Sequence, residues 1–274
     1  MNKIKAKLYL LFLEFISPID FDLKVIFAVI IGLIILLFGY IANAQIITKY
    51  YDNSNKIRID GSTNELKPCF VFFPGGGFMT QNWSICNSWS SLAVNQGYVS
   101  CKVGYSVSFP SLSSAEKGIS DGVNAVKWIK IHANEYHIDT NRIYLAGTSA
   151  GGFVALGIAY EHKVKVAGVL NGWGGVLNLT YLYNNNVPVY NVSTDYDKTV
   201  PIDCGKAFGV SCCGSQSINA QLILLEVKTD WLVWEGYKHG LLPKDIEYSF
   251  RVTHSFLNAL TFFNAATNSN INSR

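Results

Sequence analysis

Short runs of apolar and β-branched residues alternate with longer segments of helical periodicity along the chain after residue 50. The runs predicted as strands are Cys69–Pro74, Tyr98–Tyr105, Arg142–Gly147, Val164–Leu170, Val187–Val192 and Trp231–Trp234. Apolar residues share one helical face in two segments, Ser114–Asn134 and a final segment with Ile246, Phe250, Leu257, Leu260 and Phe263. Such alternation predicts an α/β fold, with a doubly wound, mostly parallel central sheet flanked by helices.

The first 44 residues follow a different pattern. No charged residue occurs from Val25 to Thr48, and residues 25–42 are almost continuously apolar, with four lysines upstream. A small-x-small sequence, Ala42-Asn43-Ala44, closes this run, which is typical of signal-peptidase cleavage. We interpret residues 1–44 as an export signal and residues 45–274 as a single folded domain that is secreted or periplasmic. The alternative is an uncleaved membrane anchor through residues 25–42, since that length can span a bilayer.

Composition excludes several classes of protein. The 274 residues are 49% apolar and 15% charged, which argues against intrinsic disorder. The net charge of +3 comes without a run of lysine or arginine, so no nucleic-acid partner is expected. Six cysteines are too few to define a disulfide scaffold, although export would let disulfides persist.

A candidate nucleophile lies where one predicted strand ends. Gly147-Thr148-Ser149-Ala150-Gly151 follows an apolar strand and precedes a helix of small residues. A serine on such a sharp turn is exposed at the sheet edge, and side chains at the flanking glycines would clash with the neighbouring strand and helix. The new helix also directs free N–H groups towards charge that develops beside the serine.

With this motif, the chain over about residues 55–265 resembles the α/β-hydrolase-fold serine esterases and lipases of the small carboxylesterase type. The preceding sequence, Tyr136–Gly147, is similar to the approach to the nucleophile in that family. The resemblance implies a catalytic domain over residues 45–274 that uses an acyl-enzyme on Ser149 and needs no metal or organic cofactor.

The resemblance also implies an oxyanion hole. Gly75-Gly76-Gly77 follows a predicted strand, and the family pairs an N–H of this loop with that of the residue after the nucleophile. This assigns Gly76 or Gly77, together with Ala150. Pro74 departs from the histidine of many members. A plain glycine turn is the alternative, and the spacing does not fit a phosphate loop.

Histidine and aspartate candidates follow Ser149 in chain order. His239 lies on a turn after the last predicted strand, where its imidazole could take the serine proton. Asp197 follows the penultimate strand and, in Asp197-x-x-Val200-Pro201, resembles the acid loop of the family; Asp195 stays open as the alternative. His254 is expected to be packed within the last helix.

Three cysteines follow this acid loop closely. In an exported protein, Cys204 paired with Cys212 or Cys213 would fix the loop, and this pairing is a hypothesis. Cys69 and Cys101 are expected to be buried apolar residues within strands.

We expect a serine carboxylic-ester hydrolase acting on small acyl esters. Acetyl or feruloyl groups on polysaccharides are an expectation by analogy alone. A peptidase or amidase of the same fold and a non-catalytic binding member are the alternatives.

Overall fold

The computed structural model describes residues 25–26, 30–31, 46–241 and 247–272. The chain divides into two compact units, residues 1–45 and 46–274. The export signal predicted over residues 1–44 lies outside the described residues, apart from residues 25, 26, 30 and 31, which are helical. In the part of the chain that is described, we find no helix with both the length and the apolar character needed to cross a membrane.

Eight strands form the central sheet in the order β1-β2-β4-β3-β5-β6-β7-β10. The strands are β1 (Ile47–Tyr50), β2 (Lys56–Asp60), β3 (Lys67–Phe73), β4 (Val99–Val103), β5 (Ile138–Thr148), β6 (Gly168–Gly172), β7 (Val189–Thr194) and β10 (Thr229–Trp234). From β4 to β10 neighbouring strands are parallel, whereas β1 and β2 are antiparallel at one edge. The predicted α/β class and mostly parallel sheet are confirmed.

Helices cover both faces of this sheet. They are α1 (Ser84–Asn95), α2 (Leu112–Ile131), α3 (Ala150–Leu156), α4 (Ser215–Leu224) and α5 (Tyr248–Asn272). A π-helical turn, Gly157–Glu161, continues α3, and Leu179–Asn184 forms a 3₁₀ helix. One apolar core lies between the sheet and α2, α3 and α4, and a second between the sheet and α1 and α5. Alternate residues of β3 enter the two cores, because successive strand side chains point to opposite faces.

The last helix buries only part of the apolar face that the sequence pattern predicts. Phe250 is 60% exposed and Leu257 is 37% exposed, whereas Leu260 and Phe263 are buried as predicted, together with Val252 and Phe256. Ile246, which was expected on the same face, lies outside the described residues. The prediction was wrong for Phe250 and Leu257, because several helical faces of this segment carry aromatic or aliphatic residues, and only contact with the sheet selects among them.

The Gly- and Asn-rich segment 171–186 is partly buried. Its first two residues belong to β6, and Trp173, Val176 and Leu182 are buried. The segment nevertheless follows the carboxyl end of a strand, where α/β sheets bind their ligands.

A small hairpin lies outside the central sheet. Its strands are β8 (Cys204–Ala207) and β9 (Val210–Cys213), joined by Phe208 and Gly209, both with positive φ. A disulfide joins Cys204 to Cys213, one of the two pairings considered, and Cys212 stays free. Cys69 and Cys101 are fully buried in β3 and β4, as expected.

Two phenylalanines of α5 test the observed helix face. Phe256→Ala removes a fully buried ring and should lower the free energy of unfolding by about 3–5 kcal/mol. Phe250→Ala makes the same chemical change at an exposed position and should cost about 1 kcal/mol or less. Urea denaturation measures both, and a larger loss for Phe250→Ala would contradict the assigned face.

Candidate active site

Ser149 lies at the sharp turn between β5 and α3. Its φ of 53° is in the left-handed region, which is rare for a residue with a side chain. Its N–H donates to the Gly172 carbonyl at 2.8 Å, and its carbonyl accepts from the Gly152 N–H at 2.9 Å. These bonds to the neighbouring strand and the following helix hold the turn and direct the hydroxyl towards the sheet edge.

Close packing explains the glycines on either side of Ser149. A Cβ on Gly147 would overlap the Gly151 carbonyl, and a Cβ on Gly151 would overlap the carbonyls of Phe73 and Pro74. Strand β5, helix α3 and the end of β3 therefore approach each other through bare backbone. The glycines of the motif are therefore required because side chains at these positions would clash with neighbouring backbone, as the sequence motif predicts.

Three predicted side chains meet in a line. The Ser149 Oγ and His239 Nε2 atoms are 2.7 Å apart, and His239 Nδ1 is 2.7 Å from Asp197 Oδ2. The Asp197 side chain is 1% exposed, and its other oxygen accepts the N–H groups of Thr199 and Val200 at 2.8 and 3.0 Å. Asp197 is thus a buried acceptor that orients the imidazole, while Nε2 faces the serine hydroxyl.

Asp195, the alternative acid, contacts the histidine loop elsewhere. Its Oδ1 accepts the N–H groups of Gly236 and Tyr237 at 2.8 and 3.3 Å. The Thr194 hydroxyl donates to the Lys238 carbonyl, and the Tyr196 N–H donates to the Tyr237 carbonyl at 3.0 Å. Residues 194–196 therefore fasten the loop that carries His239, while Asp197 contacts the ring itself.

The glycine loop lies directly beside the serine. A Cβ on Gly75 would come within 3.3 Å of the Ser149 Cβ, so the loop backbone contacts the turn. Gly76 and Gly77 have φ values of 124° and 63°, conformations that side chains rarely adopt. Gly77 and Ala150 line one cavity with Ser149, and Gly76 lines a second with it. All three predicted oxyanion residues are therefore next to the serine.

Two buried side chains hydrogen-bond to the main chain just before this glycine loop. The Tyr105 hydroxyl donates to the Pro74 carbonyl at 2.7 Å, and burial raises the pKa of Tyr105, so the hydroxyl stays protonated. The Cys86 thiol donates to the Phe73 carbonyl at 3.2 Å, and burial raises its pKa to about 12. The sequence alone did not identify either residue, because both act through main-chain carbonyls.

Two cavities of unequal size meet at Ser149. The smaller has a volume of about 30 Å³ and is largely apolar, with Phe153, Leu177 and Val200 among its walls. The larger, about 360 Å³, includes His239, Trp173 and Asn82. Phe208, at the tip of the disulfide-bonded hairpin, lines both. Neither Trp173 nor Phe208 was predicted, since their loops have no recognisable motif.

The other histidines lie away from this arrangement. His254 Nε2 contacts the Asn258 amide at 3.0 Å on α5, as expected for a packed side chain. His132 stacks on Trp128. The described residues contain no group of three or more His, Cys, Asp or Glu side chains that could hold a metal ion.

A family model matches part of the chain. Residues 57–172 match BD-FAE, an α/β-hydrolase esterase family, and this range includes the glycine loop and Ser149. No curated protein matches the chain.

Solved structures share the fold at low sequence identity. One is an esterase from the Planctomycetes species Thermogutta terrifontis, Est2 with propionate bound, which is 17% identical with a TM-score of 0.64 over 81% of this chain and 94% of that chain. Another is MGS-M1, an α/β hydrolase from a Medee basin deep-sea metagenome library, which is 19% identical with a TM-score of 0.63 over 81% and 98%. The chain has the α/β-hydrolase fold, and its predicted resemblance to esterases of this fold is confirmed.

The two aspartates can be separated by one matched pair of variants. Asp197→Asn removes the charge beside His239 Nδ1 and should slow fluorophosphonate labelling of Ser149 by roughly 10³–10⁴-fold. Asp195→Asn keeps an acceptor for the loop N–H groups and should stay within about tenfold of the wild type. Mass spectrometry of the labelled protein gives both rates, and equal losses would contradict the assignment.

Proposed function

We propose that this protein is a serine carboxylic-ester hydrolase that works through an acyl-enzyme. The observation that carries the proposal is the continuous chain from Ser149 through His239 to Asp197, with 2.7 Å at each contact, beside two open cavities. A serine hydroxyl is almost fully protonated at neutral pH and needs an adjacent base to attack a carbonyl. The imidazole of His239 is in the position to supply that base.

The proposed reaction has two halves. Ser149 Oγ attacks the ester carbonyl while its proton passes to His239 Nε2, and Asp197 stabilises the resulting imidazolium without taking a proton. The N–H groups of Ala150 and of Gly76 or Gly77 stabilise the oxyanion. The C–O bond then breaks, and His239 returns the proton to the leaving alcohol. A water activated by His239 next hydrolyses the acyl-enzyme and releases the acid.

The position of His239 indicates which cavity holds the alcohol part of the ester and which holds the acyl part. The leaving oxygen must lie within reach of Nε2, so the alcohol belongs in the large cavity that His239 lines. The acyl group then occupies the small apolar cavity on the other side of Ser149. A volume of about 30 Å³ suits an acetyl group better than a bulky aromatic acyl group such as feruloyl.

We therefore propose short acyl esters, acetyl above all, carried by a larger alcohol such as a polysaccharide. The large cavity, of about 360 Å³, has room for part of a sugar chain. Thermogutta terrifontis esterase 2 has been seen with propionate and with butyrate bound, and also phosphoramylated by tabun. Short acyl groups and organophosphate probes are accordingly the substrates and reagents to test first.

We also propose that the protein is exported, and this rests on two observations. Residues 25–42 are apolar and precede the small-x-small sequence at Ala42–Ala44. The Cys204–Cys213 disulfide is a bond that persists in oxidising compartments. N-terminal sequencing of the mature protein should begin at Gln45; an intact N-terminus in the membrane fraction would favour the anchor.

Substitution of either member of the Ser149–His239 pair tests the activity. Ser149→Ala and His239→Ala should each lower kcat for p-nitrophenyl acetate by about 10⁴-fold or more, because the members act as a unit. Peptide anilides should be poor substrates of the wild type. Wild-type protein that hydrolyses neither class would favour a non-catalytic binding role, and faster anilide cleavage would favour a peptidase.

Phe208 tests the assignment of the acyl cavity. The wild type should prefer p-nitrophenyl acetate to the butyrate and octanoate esters, since the cavity is small. Phe208→Ala removes a ring that lines the small cavity and should raise kcat/KM for the butyrate relative to the acetate by about tenfold. Tyr183→Ala, an exposed aromatic that lines neither cavity, is the matched control. An unchanged preference in Phe208→Ala would overturn the assignment.

A further inference from the structure

A third cavity, with no part in the chemistry above, lies at the edge of the sheet. Its volume is about 150 Å³, and three cationic side chains line it: Lys56 and Arg58 of β2 and Lys102 of β4. Trp83 and Gln81 form part of the opposite wall. We call this the basic cavity.

The three cations are held together by strand pairing. Arg58 lies directly opposite Lys102 in the antiparallel register of β2 and β4, and Lys56 lies two residues from Arg58 on the same face. Like charges directly opposite each other destabilise a sheet. Burial and the neighbouring Arg58 both lower the pKa of Lys102, so the protein bears an electrostatic cost here.

Nearby acidic groups offset this charge only in part. The Asp60 charge acts to raise the pKa of Lys102, but burial and Arg58 outweigh it, and the Asp60 Oδ1 accepts the Gly61 N–H at 2.8 Å. The Asp52 carboxylate accepts hydrogen bonds from Ser54 and Asn55. No carboxylate lines the basic cavity, and among the described residues no ion pair is formed by its three cations. Lys102 Nζ instead donates to the Asn87 amide oxygen at 3.0 Å.

The basic cavity opens at the same sheet edge as Ser149. The Gly104 N–H, just after the carboxyl end of β4, donates to the Lys56 carbonyl at 3.0 Å. Residues 81–83 form a shared wall, since Asn82 lines the large cavity while Gln81 and Trp83 line the basic one. Strands β2 and β4 lie two to three strand spacings from β5, or about 10–14 Å. A short oligosaccharide could span that distance.

We propose that the basic cavity binds an anionic group, a carboxylate or a sulfate, on an acidic oligosaccharide whose esterified hydroxyl lies at Ser149. Only the placement of the esterified hydroxyl at Ser149 rests on the proposed esterase function. The binding of the anionic group does not. Arg58 offers paired donors that match a carboxylate, and Lys102 adds a second charge-assisted hydrogen bond. The half-buried Trp83 adds an apolar ring against which a sugar face packs.

The shape and charge of the site favour this ligand over a nucleic acid. Nucleic-acid affinity needs cations spread along several phosphates, whereas three cations here surround one concavity and the net charge is only +3. The cavity proposed for the alcohol lies next to the basic cavity, across the wall of residues 81–83, and this proximity favours an extended substrate over a free anion.

Binding can be measured without any hydrolysis. Isothermal titration calorimetry with Ser149→Ala should show binding of tetragalacturonate that weakens as salt rises, and weaker binding of neutral xylotetraose. Arg58→Gln and Lys102→Gln in that background should each weaken tetragalacturonate binding by about tenfold. Lys127→Gln, the same change on an exposed face of α2, should not. A sulfated oligosaccharide in a parallel titration shows which anionic group is preferred.

Kinetics then test the link to Ser149. In Arg58→Gln and Lys102→Gln, kcat/KM for acetylated oligogalacturonate should fall about tenfold, while kcat/KM for p-nitrophenyl acetate stays unchanged. The loss should appear as a higher KM for the oligosaccharide. Equal binding of acidic and neutral oligosaccharides, or equal losses in Lys127→Gln, would overturn the proposal. Tighter binding of inorganic phosphate or a single-stranded oligonucleotide than of either acidic sugar would also overturn it. If the wild type did not hydrolyse p-nitrophenyl acetate, the proposed esterase function would be wrong, whereas the binding result would still hold.

Discussion

The site depends on one tight approach of backbone segments. Strand β5, helix α3 and the end of β3 meet around Ser149 so closely that Gly147 and Gly151 leave no space for a side chain. The unfavourable backbone angle of Ser149 persists because bonds to Gly172 and Gly152 hold the residue on both sides. A serine held in this way does not need to reorganise before it reacts, and the glycine loop is held against it by the same contact.

The second requirement is that two distant loops arrive together. His239 follows β10 and Asp197 follows β7, and these strands are parallel neighbours in the sheet. Hydrogen bonds between residues 194–196 and the histidine loop, donated by Thr194 and Tyr196 and accepted by the Asp195 carboxylate, fix the separation that strand pairing sets only approximately. The acid loop thus has two tasks: one aspartate orients the ring, and its neighbours position the backbone that carries it.

Sequence reasoning predicted the six parallel strands, Ser149, His239 and the acid loop, because strand periodicity and the glycine spacing are local signals. It did not predict β2, whose alternating Lys56-Ile57-Arg58-Ile59 pattern is short and lies between polar residues. It chose Asp197 over Asp195 only by resemblance, since two residues in an irregular loop have no periodicity to separate them. The cavity walls could not be predicted, because Trp173 and Phe208 come together only through the tertiary fold.

The Cys204–Cys213 bond closes a loop of only a few residues, confined to the hairpin. The strands that carry Ser149, Asp197 and His239 lie outside that loop, so their assembly does not depend on oxidation. A chain made in a reducing host would therefore still form its central sheet and lose order first at the Phe208 tip. Oxidation of this cysteine pair therefore acts locally, on the hairpin whose tip lines both cavities, and not on the central sheet.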